Sequence, residues 1–586
     1  MGGAWLWAAA AVLACAGGAA GWSRQVGPEE RASLREEAAG LFYAGYNAYM
    51  RHAFPLDELD PVRCEGVDTY GGYALTLVDA LDTLAVLGDA AEFRRQAVWV
   101  AHNLRVDADV NVSVFETNIR VVGGLLSAHC LAADPRSPVR TPEVGGRLLD
   151  LAEDVARRLM PAFETATGVP FGTVNLRRGV PQDETPVTSV ACGGTLLMEM
   201  GLLSALTGNG TYVAAARRSL RAMWDRRSAL GLVGSHIDSD TGQWTQLDSG
   251  VGTSVDSFFE SLLKAWMLLD DREALHIFNA AYGAAMRHMY RPPWYVDVNM
   301  ETGALTWSHF NSLQAFWPGM QTLIGDLDAA ERTHAAMALV WEKYAGLPEH
   351  FDVTSGEAVE GHCSYPLRPE LIESAYYLER ATGDPLYLAL GRTFVHDLRG
   401  MLLGDDGRRV GDRGGCGIAG LESVLHGKRR PSRRMDSYFL SETAKYLFLL
   451  LDQDRGPSAW TAGQAGRQYV FNTEGHLLPL LADPAFVPMG GDLCGASSGD
   501  EAGVADLEPL FRIRPCEETR TGSTPCEDSA FFSKDVDLPT HDPWAQDAGS
   551  AELGVHMGHV SCPRHLRSAS LVRATEDRRL AVALGL

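Results

Sequence analysis

The 586-residue sequence has no Cys-x-x-Cys pair, although it holds ten cysteines. That excludes zinc ribbons and thioredoxin-type redox chemistry. It has no basic surplus either: the formal net charge is −24. So acidic a surface repels phosphate backbones, and no nucleic acid is expected as a partner. Beyond the N-terminus no stretch reads as long and apolar enough to cross a bilayer, so no transmembrane segment is expected. Strand-like alternation is scarce and confined to connections such as residues 232–237. The helical segments do not resemble one another, which argues against a solenoid of like repeats. The last residues, Val-Ala-Leu-Gly-Leu, are not a KDEL-type retention signal.

What is present begins with MGGAWLWAAAAVLACAGGAAGWSR. An apolar run from Ala4 to Ala16, followed by small residues suited to cleavage near Ala20, reads as a signal peptide over residues 1–20, without the usual basic n-region. Cys15 falls inside it. The other nine cysteines are Cys64, Cys130, Cys192, Cys363, Cys416, Cys494, Cys516, Cys526 and Cys562. In an oxidising lumen some of these pair, and an odd number leaves at least one thiol over. The sequons Asn111-Val-Ser113 and Asn209-Gly-Thr211 offer two N-glycosylation sites and agree with a secretory route.

Helical periodicity dominates from residue 33 to 452, in about fourteen segments. The even-numbered segments are rich in Gly, Ala, Ser and aromatics, as in VVGGLLSA; the odd ones are more charged, as in AAARRSLRAMWDRRS. An apolar inner ring wrapped by an outer ring with one wet face produces this difference. The reading is an all-α chain, a closed α/α barrel over residues 30–484. Residues 485–586, where Gly, Ser, Asp and Pro replace the periodicity, read as a low-complexity, largely disordered C-terminal tail.

Four acids recur near the starts of even segments: Glu116, Asp256, Glu370 and Glu442. In an α/α barrel the even helices run the same way, so this placement gathers carboxylates at one mouth. Each acid also has a structural explanation. Ser113-x-x-Glu116 and Thr253-x-x-Asp256 fit capping boxes. Pro369-Glu370 fits an ordinary first turn, and Glu442 can pair with Lys445 on a wet face. Arg120 shares a face with Glu116. Glu370 and Glu373 are three residues apart, and like charges that close call for a proton or a cation, such as calcium with its oxygen ligands, or for solvent. Paired carboxylates are what glycoside hydrolysis needs. Phe115, Phe258, Tyr377 and Tyr438 are near enough to stack on a sugar or to be core. A sugar epimerase or lyase would need a His or Tyr base instead; His309, His362 and His476 are the nearby histidines, with no paired arrangement visible in the sequence.

These residues lie in blocks that resemble the class I α-1,2-mannosidases, glycoside hydrolase family 47, and within it the ER degradation-enhancing α-mannosidase-like (EDEM) branch. The blocks are AFPLDELDPVRCEG, LTLVDALDTLAVLG, SVFETNIRVVGGLLSAH, GVGTSVDSFFESLLKAW, SLQAFWPGMQTLIGDL, YPLRPELIESAYYLERATGDP, MDSYFLSETAKYLFLLLD and YVFNTEGHLLP, spanning residues 40–480 in order. The resemblance implies an (α/α)7 barrel and inverting, Ca2+-dependent hydrolysis of α-1,2-linked mannose from high-mannose N-glycans. It implies that Glu116 and Asp256 are the candidates for the general acid and Glu370 the base. It implies that Thr473 binds calcium through its hydroxyl and carbonyl, while Glu373, Glu442 and Glu474 hold the calcium's waters and the sugar. Arg120 and Glu199 would line the pocket and Tyr438 would lie against the ring. Trimming mannosidases carry a His where Ser312 stands and a Cys where Ala315 stands; the EDEM branch lacks both. Tyr438 and Met200 each occupy a position where Phe is usual. The branch further implies action on misfolded glycoproteins in the ER lumen, marking them for degradation, a disulfide between Cys64 and Cys416, and a disulfide-exchange oxidoreductase partner, for which Cys562 is a candidate linking thiol. A mannose-binding, lectin-like protein on the same scaffold is the competing reading; the retention of every acid and of Thr473 favours the enzyme.

Overall fold

The computed structural model describes residues 25–402, 416–452 and 468–481. The leader, the tail and Cys562 lie outside them. Among the described residues fourteen helical runs follow one another. They are α1 Pro28–His52, α2 Leu75–Val86, α3 Ala90–Asn103, α4 (Val114–Glu116, a π-helical Thr117–Val122, then Gly123–Ala133) and α5 Pro142–Leu159. Next come α6 (Val190–Gly194 and Leu197–Thr207), α7 Thr211–Trp224, α8 Asp256–Leu269 and α9 Arg272–His288. The last are α10 (a 3-10 turn Ser312–Phe316, then Trp317–Leu323), α11 Leu327–Tyr344, α12 Glu370–Thr382, α13 Pro385–Arg399 and α14 (a π-helical Phe439–Thr443, then Ala444–Leu451).

Local chemistry sets these boundaries. Asp89, Asp271 and Asp384 cap α3, α9 and α13 by accepting from backbone N–H groups of the first turn. Gly208 and Gly383 end α6 and α12 in the left-handed conformation, which costs glycine nothing. All twelve residues of α2 are buried, whereas α5 buries one stripe: Val144, Leu148, Leu151, Ala152, Val155, Ala156 and Leu159. An all-round buried helix belongs inside and a striped one outside. Accordingly α2 packs on α4 and α14, α4 on α6, α6 on α8, α10 on α12 and α12 on α14, while each odd helix lies against the even ones beside it. Phe259 of α8 meets Trp317 of α10 edge-on at 5.0 Å, completing the inner ring. α1 closes the outer ring against α13 and α14.

Strands are few and short, two or three residues each, and sit in the connections as expected; most pair ahead of the even helices, where the chain must turn back with its backbone groups satisfied. The expected strand at 232–237 is His236–Asp238. One expectation needs correction. The stretch Val190–Thr207 is long and apolar enough to cross a membrane, but 83% of it is buried inside the barrel; its apolarity is that of an inner helix with neighbours on every side.

A hairpin, Tyr469–Phe471 with Leu477–Pro479, enters the barrel from the end where the inner helices finish. Leu481 N–H donates to Leu268 O near the end of α8, and Glu474 at the hairpin turn reaches Arg120. Cys64 and Cys416 form a disulfide, Cα to Cα 5.4 Å across 352 residues of sequence. It ties the connection before α2 to the one before α14. Cys130, Cys192 and Cys363 are buried thiols.

Candidate active site

The even helices deliver their first turns to one mouth. Glu370 opens α12 and Asp256 opens α8, and the charge of Asp256 reaches Glu370. Asp256 is pushed up to about 6, chiefly by burial, against the hydrogen bond from its neighbour Ser257 N. Glu370 rises to about 7: burial leads, Arg368 draws it down, and Glu349 and Asp256 push it up. Its Oε2 is buried without a hydrogen-bond partner. An orphaned carboxylate oxygen costs stability unless something that binds there completes it.

Behind Glu370 the charge imbalance grows. Glu373, held by Tyr446 Oη at 3.3 Å and 3.7 Å from Lys264 Nζ, is raised to about 8, first by burial. Glu442 is raised well above its ordinary value by burial and by Glu474, Glu373 and Glu370. Glu474 is raised too, by burial, although Arg120 opposes it. Buried like charges this close need a proton or a cation between them.

Arg120 is the hub. Its Nε lies 2.7 Å from Glu116 Oε2, its Nη1 donates to Glu474 Oε1 and to Ser437 Oγ (3.3 Å), and Asp79 is 3.6 Å away. Its guanidinium sits over Tyr70 at 5.6 Å and Tyr438 at 5.5 Å. Tyr70 is held in place because Asp57 gathers the N–H groups of Thr69, Tyr70, Gly71, Gly72, Tyr73 and Leu75. Tyr438 Oη donates to Pro366 O at 2.9 Å. Arg120 and Glu442 both lie in the π-helical turns of α4 and α14, where the wider turn re-aims side chains.

Glu199 is buried under the hairpin rather than at the open mouth. Its oxygens accept from Asn118 Nδ2 (2.9 Å) and Asn472 Nδ2 (2.8 Å), and burial raises it to about 7. Thr473 is half-buried at the hairpin turn, beside Glu474. At the next residue, Gly475 (φ 72°), an added Cβ would come within 3.0 Å of Glu442 Cγ; only glycine lets the turn approach the acids this closely.

Several simple explanations fall. Lys445 pairs with Asp82 at 2.7 Å, not with Glu442. Val255, not Thr253, stands at the N-cap of α8. The Ser113 cap is real, accepting from Glu116 N at 3.2 Å, yet Glu116 turns its carboxylate to Arg120. Phe258 and Tyr377 are core. The histidines do form an arrangement: His309, His350 and His362 stand together, with ring centroids 6.4 Å and 4.8 Å apart. His309 and His350 lie on paired strands, the first ahead of α10 and the second ahead of α12, and His362 lies on the connection that follows the second, apart from His476. Asp79 and Asp82 flank His476 and raise it to about 9 against burial, so it is a structural cation and not a base.

Three contributors went unread in the sequence. Glu349 grips Arg368 with two bonds of 2.9 Å and accepts from Ser312 Oγ at 3.0 Å. Lys264 pairs with Glu260 and faces Glu373. Asn472 ties the hairpin to Ile119 O and Glu199. Arg368 is two residues from Glu370 and was within reach of a sequence argument; Glu349, 19 residues before Arg368 in the same connection, and Asn472 in the hairpin were not. Of the sequon residues, Asn111 is exposed and its Oδ1 accepts from Asn175 Nδ2, while Asn209 is half-buried and its Oδ1 accepts from Thr211 N.

A ring of carboxylates at one end of an α/α barrel, with a cationic hub and a hairpin plug, has known counterparts. The profile of glycosyl hydrolase family 47 matches residues 41–480. The chain belongs to glycosyl hydrolase family 47. Family 47 relatives include alpha-mannosidase I MNS4 of Arabidopsis thaliana, 49% identical over 78% of this chain and 71% of the relative. Human ER degradation-enhancing alpha-mannosidase-like protein 2 is 45% identical over 78% of each chain. These similarities agree with the EDEM branch. Among solved structures, the alpha-1,2-mannosidase from Trichoderma reesei superposes with a TM-score of 0.68 at 25% identity, over 76% of this chain and 99% of that one. The α/α barrel is therefore the family 47 fold.

The family implies calcium. Among the described residues no three acids, histidines or cysteines converge as direct metal ligands. The donors present are nevertheless hard oxygens: the Thr473 hydroxyl and carbonyl beside an excess of buried carboxylates and an orphaned Glu370 oxygen. That set fits a calcium ion held by Thr473 with carboxylates acting through water, which calcium tolerates in its shell.

Proposed function

We propose that the protein is a calcium-dependent, inverting α-1,2-mannosidase that trims high-mannose N-glycans on misfolded glycoproteins in the ER lumen and so marks them for degradation. The unpartnered Glu370 oxygen, in a mouth where Asp256 and Glu370 titrate near 6 and 7, carries this reading. Carboxyls in that range can hold or release a proton near neutral pH. In this reading Glu370, steered by Arg368, takes the proton from the attacking water. Glu116 or Asp256 delivers a proton to the leaving oxygen, and Arg120 keeps Glu116 oriented. Tyr438, fixed between Arg120 and Arg368, lies against the sugar ring, and Glu373, Glu442 and Glu474 hold its hydroxyls and the waters around the metal. Calcium, when bound at Thr473, would supply positive charge that offsets the crowded carboxylates and orders sugar hydroxyls.

Residues 1–20 act as the signal peptide and 30–484 as the catalytic barrel in this reading. Cys562 in the tail is the candidate thiol for a disulfide-exchange oxidoreductase of the ER. The test is mannose release from a free high-mannose N-glycan by the purified chain, with calcium, with EDTA and with Glu116→Gln. Release that disappears in both controls is expected. No release, even with an oxidoreductase and an unfolded glycoprotein supplied, would leave the protein a glycan-binding factor.

A further inference from the structure

One exposed aromatic stands apart from the core. Trp307 is 54% exposed and Leu305, two residues earlier, 60% exposed, and both belong to the strand Leu305–Trp307. Residues two apart on a strand share a face, so the two side chains form one open apolar patch rather than scattered single residues. This strand lies in the connection before α10, at the mouth end of the barrel.

The chain from Trp307 runs directly to the site. The indole meets the His309 ring edge-on at 5.0 Å. His309 stands next to His350, and His350 next to His362. Asn311 Nδ2 donates to Glu349 O and lies 3.4 Å from His350 Nε2. Ser312 Oγ then donates to Glu349, whose grip on Arg368 leads to Glu370. Five residue steps of nearly extended chain lead from Trp307 to Ser312, roughly 16 Å at ~3.3 Å per step. That is the span of a few linked pyranose rings.

The chemistry fits a carbohydrate better than a peptide. A flat indole offers its face to the C–H side of a pyranose. Imidazoles and an amide beside it offer donors and acceptors to hydroxyls, each imidazole able to do both when neutral. Burial and the neighbouring His362 and His309 imidazoles hold His350 below its ordinary value, against the opposing charge of Glu349. An extended peptide would need a usable sheet edge, and this strand has three residues with a register irregularity against its partner.

We propose that Trp307, with His309, His350 and His362, forms an outer mannose-binding platform that holds the body of a branched glycan while its terminal residue occupies the pocket. The platform rests on the proposed function for its ligand class. It would make recognition depend on glycan length, which the pocket alone cannot do.

The test measures binding by calorimetry with the full chain and calcium, in the Glu370→Gln background so that the glycan is not consumed. The probes are a nine-mannose N-glycan and methyl α-1,2-mannobioside. Trp307→Ala is expected to weaken the large glycan about tenfold and to leave the disaccharide unchanged, with Trp307→Phe in between. Equal affinities for both variants and both sugars would overturn the platform. So would equal weakening of both sugars. A wild-type chain that binds in the expected pattern yet releases no mannose would sink the hydrolase reading and leave the platform standing.

Discussion

The barrel buries two sets of acids, and they behave in opposite ways. Asp79 and Asp82 are fully buried, yet both titrate below the usual range: burial pushes them up, and His476 with Arg120 or Lys445 more than reverses it. Asp82 alone accepts from Lys445 (2.7 Å), Ser127 (3.0 Å) and Leu477 N (3.0 Å). Glu370, Glu373 and Glu442 all titrate high: burial pushes them up first, the cations near them (Arg368, Lys264 and Arg120) do not reverse it, and neighbouring acids add to it. Burial of a carboxylate is thus not what marks a site; an unmatched charge is. The matched set anchors the hairpin to α2 and α14, and the unmatched set is left with like charges as neighbours.

Mutations that neutralise one acid from each set separate these roles most sharply. Glu370→Gln should cut mannose release by about a thousandfold without lowering the melting temperature in EDTA, since it removes an unfavourable buried charge; a clear loss of stability would place Glu370 with the structural set. Asp82→Asn should do the reverse. It strands Lys445 and His476 and is expected to cost about 3–5 kcal/mol in denaturant unfolding, and an unchanged midpoint would contradict the contrast. Replacing Cys64 and Cys416 by Ser should cost about 2–4 kcal/mol, read in the same unfolding curves, while leaving the pH dependence of the acids as it was.

The pH dependence is the next smaller effect. Asp256, Glu370 and Glu373 titrate at about 6, 7 and 8 in the fold and near 4 when unfolded. The folded state therefore holds more protons across that window, so calcium-free stability must fall as pH rises from 5 to 8. His476, raised to about 9, loses its contribution over the upper part of the same window. In EDTA the melting temperature should drop on the order of 5 °C between pH 5 and 8, and saturating calcium should flatten that drop. A slope that is the same with and without calcium would separate the metal from these acids. Tyr438→Phe should be the mildest change, losing the bond to Pro366 O for about 1 kcal/mol with little effect on KM; a large KM increase would show that the hydroxyl itself meets the sugar.

The helix periods were readable because an inner helix and an outer helix differ in composition at every turn, as α2 and α5 show. The acids at the even N-termini were readable for the same reason, once the helices were counted. Glu349 was not, because its partners lie beyond any local period: Arg368 is 19 residues on, past a strand pair of the same connection, and Ser312 is 37 residues back at the start of α10. The histidine group and the Lys445–Asp82 pair were hidden likewise, and local spacing even suggested the wrong partner for Lys445. The sequence by itself determined the barrel and the end of it that carries carboxylates, since both follow from residue type at a local period, while the cysteine pair came only as what the family resemblance implies. Only the tertiary structure decided which buried acids are matched and which are not, because that balance is set by charges brought together from helices and a hairpin hundreds of residues apart.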